Sequence, residues 1–185
     1  RVEHRAERGG ALHERQRALE LGRGLVGPSE HEIHDHVDAC VPAEADHVED
    51  TLDWFAQDTS GNVWYFGENS KQYAGGLIVG VEGSFTAGVD GARPGIVMKA
   101  HPAPGDFYRQ EFLLGEAEDI EEVASLTQSV TVPWGSFSNC LESNDTIPLE
   151  PDVLEHKFFC PGLGVALETN PDTGERFELI QVVVE

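Results

Sequence analysis

Three histidines stand close together at His31, His34 and His36, with Asp35, Asp38, Cys40 and His47 beside them. Neutral imidazole and thiolate are the usual ligands of zinc, so the residue types suit a metal site. Their spacing suits it less. A helix aligns His31 with His34 and His36 with Cys40, whereas a strand aligns His34 with His36 and Asp38. No single regular element gathers all three histidines, and His101 and His156 stand alone downstream. The segment reads first as polar and weakly patterned, with zinc binding as the alternative.

A second set of oxygen ligands lies at Asp58, Asn62 and Glu68, with Ser60 between them, and would suit calcium. An EF-hand loop counted from Asp58 wants glycine at its sixth position and a carboxylate at its twelfth, where this chain has Val63 and Asn69. A tight hairpin turn accounts for Gly61 and Asn62 without a metal. Asp90-Gly91 also reads as a turn, although its loop could meet Glu68 as a weak calcium site. The acids Glu116, Glu118, Asp119, Glu121 and Glu122 could form an acid-base pair only if some were buried, and so hydrophilic a run predicts a solvated face. Gly22 to Gly27 match GxGxxG literally, but a charged run precedes them and Pro28 follows, which is the wrong context for a dinucleotide loop. Ser136 and Ser138 lack a nucleophile elbow.

Composition narrows the partners. The 185 residues carry a formal charge of −22. Such a surface repels phosphate backbones, so nucleic acid is not expected as a partner. No apolar run has transmembrane length. The chain starts at Arg1 rather than Met and is read as a piece of a longer protein. Cys40, Cys140 and Cys160 show no CxxC spacing; a Cys140 to Cys160 bridge and buried free thiols both remain open.

The elements that position these residues change character near residue 50. Before Trp54 the sequence has neither an aromatic residue nor a lysine. Residues 1–47 are poorly patterned, expected to be disordered or translated out of frame, with a marginal helix over Ala11–Leu21. After Glu49 the pattern alternates as in strands. Leu52 to Gln57 and Val63 to Gly67 flank turn residues 58–62, and further strands follow at Leu77–Val81, Ser84–Gly88, Gly95–Lys99, Phe107–Leu114, Ser129–Val132, Ser136–Glu142, Val153–Phe159, Leu163–Thr169 and Phe177–Val184. Glu116–Leu126 is the one helix-like stretch, because Ile120, Val123 and Ala124 fall at helical spacing; a bent strand pair is its alternative.

Four ordered runs carry a resemblance: Asp58–Glu68 (DTSGNVWYFGE), Gly83–Met98 (GSFTAGVDGARPGIVM), Val130–Leu141 (VTVPWGSFSNCL) and His156–Glu168 (HKFFCPGLGVALE). The chain from about Val48 to Val184 resembles uncharacterised bacterial secreted or lipoprotein-type β-domains, which follow a VxVPxGxFxNCL strand with an aromatic YYxPGxGLVKE strand. Val165-Ala166-Leu167 replaces the Leu-Val-Lys usual there. The resemblance implies a curved antiparallel sheet or half-barrel in an extracytoplasmic setting and brings no catalytic residues.

The expected fold is mainly β: an antiparallel meander forming a curved sheet, half-barrel or sandwich over residues 48–185, with at most one or two short helices. The expected function is a non-catalytic extracytoplasmic module, binding or structural. One alternative is a carrier of a hydrophobic small molecule or lipid on a concave face, lined by Trp64, Phe66, Tyr108 and Phe158. The other is a metal protein using His31, His34 and His36. No cofactor is expected outside those zinc and calcium alternatives, and the partner would be an unidentified protein or a hydrophobic small molecule.

Overall fold

A computed structural model describes residues 2–8, 12–21 and 48–184, with side chains from 49 to 182. The strands are β1 (Val2–Arg8), β2 (Leu12–Leu21), β3 (Val48–Gln57), β4 (Val63–Ala74), β5 (Leu77–Gly80), β6 (Phe85–Thr86) and β7 (Arg93–Met98). They continue as β8 (Phe107–Arg109), β9 (Glu111–Phe112), β10 (Ile120–Val132), β11 (Gly135–Ile147), β12 (Glu150–Cys160), β13 (Gly164–Thr169) and β14 (Arg176–Val184). No helix occurs among the described residues. The mainly-β architecture is the one expected.

Local turn chemistry builds the hairpins. Asp58 Oδ1 accepts the backbone N–H groups of Ser60 at 2.8 Å and Asn62 at 3.0 Å, and Gly61 takes the left-handed φ of 98° that closes the β3–β4 turn. At the other end of the chain, Asn170 Oδ1 accepts from the backbone of Asp172 and Thr173 and joins β13 to β14. Both hairpins fall where the turn residues place them.

Two helix expectations are corrected. Leu12–Leu21 is a strand, antiparallel to β1 and parallel to β3, so the sheet takes in strands upstream of residue 48. Ile120–Val132 is also a strand: Glu121 and Val123 are fully buried while Glu122 and Ala124 are exposed, a period of two. The helical spacing of Ile120, Val123 and Ala124 was coincidental, because one buried position on β10 is filled by an acid.

The strands run in the order β8-β10-β11-β12-β13-β14-β1-β2-β3-β4-β7-β9, with β5 and β6 pairing onto β4. β2–β3 is the parallel pair; the other pairs described are antiparallel. The two ends of this order are one piece of chain, since only Gln110 separates β8 from β9. The ladder does not close there, yet the sheet curls until its ends meet. Ile96 and Met98 of β7 pack with Tyr108, Val123 of β10, Leu141 of β11 and Phe159 of β12. β7 lies so close to Gln110 that a Cβ on Gly95 would collide with the Gln110 carbonyl oxygen.

Cys140 and Cys160 lie on neighbouring strands, next to the cross-strand pair Leu141 and Phe159, and are joined by a disulfide. The bridge sits in an apolar cluster with Val130, Val132, Ala166, Leu167 and Leu179.

Candidate functional site

The inner side of the curled sheet holds ionisable groups that the alternation pattern assigns to solvent. On β3, Thr51 and Asp53 are buried. Opposite them on β4 are Ser70 and Glu68, register partners of Thr51 and Asp53. Tyr65 would face away from Glu68 in a regular strand, three residues apart as they are. A β-bulge between Trp54 and Phe55 changes this: Trp54 pairs with Gly67 and Phe55 with Tyr65, leaving Phe66 as the extra residue. Tyr65 and Glu68 thus share one face.

Tyr65 Oη hydrogen-bonds Glu68 Oε2 at 2.7 Å and, on its other side, Asp53 Oδ1. A phenol has one proton to donate. Two carboxyl oxygens on the same hydroxyl therefore require that one carboxyl be protonated and donate in turn. Burial pushes Asp53 up to about 7, with the Tyr65 hydrogen bond pulling the other way. Burial, then the Asp53 charge, pushes Glu68 up to about 8. Burial likewise raises Tyr65, and the surrounding carboxylates raise it further. The trio holds a shared proton at neutral pH. Phe55 stacks on the Tyr65 ring at a centroid distance of 4.8 Å, and Phe85 meets it edge-on at 5.3 Å.

A similar arrangement occupies the opposite wall. Glu121 accepts from Tyr108 Oη at 2.8 Å and from Gln110 Nε2, and burial, then Asp145, pushes it up to about 8. Asp145, its register partner on β11, accepts from Ser143 Oγ at 2.7 Å and pairs with Lys157 Nζ at 3.0 Å. Burial pulls the Lys157 ammonium down, but Asp145, Glu168, Glu155 and Asp119 together hold it well above its ordinary value. Its field also reaches Asp53, Glu68 and Glu111. The expectation of a solvated face at 116–122 is corrected in part: Glu116 and Glu122 are exposed, but Asp119 is half-buried and Glu121 is fully buried because β10 turns alternate residues inward.

Glu68 is also among the residues that border a cleft. The cleft has a volume of about 370 Å³, and Trp54, Asn69, Val81, Ser84, Phe85, Thr86, Val89, Asp90 and Leu113 border it too. The Val89–Asp90 tip is held by Val89 N–H donating to the Thr86 carbonyl at 3.0 Å and Ala92 N–H to the Val89 carbonyl at 2.8 Å. A Cβ on Gly67 would collide with the Phe85 carbonyl, so this glycine lets β6 approach β4 and form the cleft wall.

A Bacteroides fragilis crystal structure described as a "putative exported protein with YMCC-like fold" is similar to this chain at 14% identity, covering 70% of this chain and 84% of that one, with a TM-score of 0.32. No family model and no curated protein matches the sequence. Among the described residues, no helix is long and apolar enough to cross a membrane.

The residues expected to form sites disperse. Trp64 is half-buried and its indole N–H donates to Asp58 Oδ2 at 2.9 Å. Phe66 is the bulge residue and is exposed. Tyr108 is buried beside Glu121, and Phe158 packs against the disulfide cluster. None of these four borders the cleft. Asp58 and Asn62 stay together in the turn, where Asn62 Nδ2 donates to Asp58 Oδ2 at 2.8 Å. The Trp64 and Asn62 hydrogen bonds hold Asp58 down at about 2. Glu68 departs from that pair and joins Tyr65. Glu68 and Asp90 are both among the residues that border the cleft. His31, His34 and His36 lie outside the described residues. Among those described, no group of three or more His, Cys, Asp or Glu is placed to hold a metal ion.

The residues that sequence reasoning missed are Asp53, Tyr65 and Glu111, while Glu121 is read there as part of a solvated run. For Asp53 a signal exists: it sits between Thr51 and Phe55 on the alternating positions of β3.

Proposed function

We propose that this chain is a non-catalytic β module working outside the cytoplasm, at the bacterial cell envelope or in secreted form, with a binding role centred on the cleft beside Glu68. The observation that supports this most is the Cys140–Cys160 disulfide between adjacent strands of the core. Disulfides persist in oxidising compartments and are rare in the cytosol. The resemblance of the four sequence runs to secreted and lipoprotein-type domains points the same way. A binding or scaffold role is favoured over catalysis because the interior tyrosines and acids are committed to one another. The lipid-carrier alternative has less support, since its four aromatic residues point to separate surroundings.

Peptide mapping without reductant, on protein recovered from fractionated bacterial cells, tests this. The linked Cys140–Cys160 peptide should be found in an extracytoplasmic fraction. Recovery of the chain in the cytoplasm with both thiols free would sink the reading.

A further inference from the structure

We propose that the outer edge of β5 accepts an extended protein segment as an added strand, with a basic residue of that segment settling between Glu82 and Gln72 above Gly80. This surface adjoins the cleft through Val81 but stands apart from the role proposed there. β5 is hydrogen-bonded to β4 along one side, and among the described residues no strand flanks the other. Antiparallel pairing uses alternate backbone groups, so those in between point outwards. Leu77, Ile78 and Val79 are all exposed. Edge strands are usually guarded by charge or proline, and from Gln72 to Val81 this chain has neither. Strand addition uses such an edge: the main chain supplies affinity and the side chains supply selection.

The register decides what the added strand must carry. Leu77 pairs with Ala74 and Gly80 with Gln72, leaving Val79 as the extra residue, so Leu77 and Gly80 share the face of Gln72. On that face a Cβ at Gly80 would stand 2.6 Å from Gln72 Oε1 and closer still to Glu82 Oε2. Two acceptors thus crowd one spot. Turning the Gln72 amide would not relieve them, because Nε2 already donates to the Glu82 carbonyl at 3.4 Å and to Ser70 Oγ at 3.1 Å, whose own proton goes to Glu49 Oε1. Gln72 Oε1 is buried and, among the described residues, has no donor. A residue added opposite Gly80 projects onto this face, beside a position with no side chain of its own. A lysine there lays its stem over Gly80 and brings its ammonium to both oxygens, the exposed Glu82 side chain swinging to admit it. Charge selects the same partner at long range. The chain carries −22, so a second copy is repelled whereas a basic segment is drawn in.

The probe is the peptide acetyl-KTVTVTVK-amide titrated into the full chain, followed by calorimetry and by deuterium exchange of the β5 amides. Saturable binding that slows exchange in β5 and weakens in ~0.5 M salt is the expected result. Glu82→Gln should weaken binding about 3- to 5-fold, the scale of an exposed ion pair. Ile78→Lys, at an exposed edge position, should weaken it at least ~10-fold by guarding the edge and repelling the peptide's lysines. Glu122→Gln, an exposed acid on β10, should leave it unchanged. No saturable binding, equal binding of the acidic acetyl-ETVTVTVE-amide, or binding undiminished by both Glu82→Gln and Ile78→Lys would each overturn the proposal. So would self-association of the chain that protects β5 and excludes the peptide, since the occupant would then be a second copy. The compartment reading fails separately, through free thiols in the cytoplasm, whatever the titration gives.

Discussion

Tyr65 shows how one hydroxyl organises two acids. Its single proton cannot serve Asp53 and Glu68 at once, so replacing it leaves both carboxyls buried with a partner lost. Tyr65→Phe keeps the stack on Phe55 and isolates the hydroxyl. We expect it to cost about 1–3 kcal/mol in urea denaturation at pH 6, the scale of an unsatisfied buried polar group. An unchanged midpoint would show that the hydroxyl holds nothing together. At this scale the sequence is least informative. Alternation reads charge as outward, so Glu121 passes for a surface acid although it is fully buried between Tyr108 and Gln110. The compensation lies on β8 and in the link to β9, at a distance in sequence that no local pattern spans.

Single strands and turns are more legible where their chemistry is local. Asp58 to Asn62 and Asn170 to Gly174 announce hairpins because Asx side chains and glycines satisfy the turn from within. The β4 bulge announces nothing. Its effect depends on the register against β3 and on β6 crossing at Gly67, whose φ of 151° is costly for other residues. Gly67→Ala should lower stability by about 2–4 kcal/mol, because the new Cβ meets the Phe85 carbonyl and the β4–β6 contact must part. The Phe85 and Thr86 amides should then exchange with deuterium faster than those of the disulfide-linked strands. Equal protection in both places would contradict this account of the bulge.

Across the whole molecule the buried acids set a pH profile. Asp53, Glu68 and Glu121 titrate near 7, 8 and 8 in the folded chain against ordinary values of 3.8 and 4.5. The folded state therefore binds more protons than the unfolded state between about pH 4 and 8, and stability falls as pH rises through that window. Asp58, held at about 2 against 3.8, acts in the opposite sense and loses its contribution as pH falls from about 4 to 2. The melting temperature should peak near pH 4–5 and drop by on the order of 5 °C or more by pH 8.5. Calorimetry showing a flat or rising profile from pH 5 to 8.5 would contradict the buried acids' role.

The meeting of β8 and β9 across Gln110 has a consequence for how copies of this chain treat one another. An open sheet of this size ordinarily ends in two strands with unpaired backbone, which invite a second molecule to add on. Here both terminal strands are very short, Phe107–Arg109 and Glu111–Phe112, and each leads straight into the other. They cover only part of their neighbours, β8 pairing with Ile120–Glu122 of β10 and β9 with Arg93 and Pro94 of β7. A further and more apolar edge is β5, where Leu77, Ile78 and Val79 are exposed in sequence and β4 is its paired strand. If concentrated protein zips into fibrils, that four-residue strand is where the first rung would form.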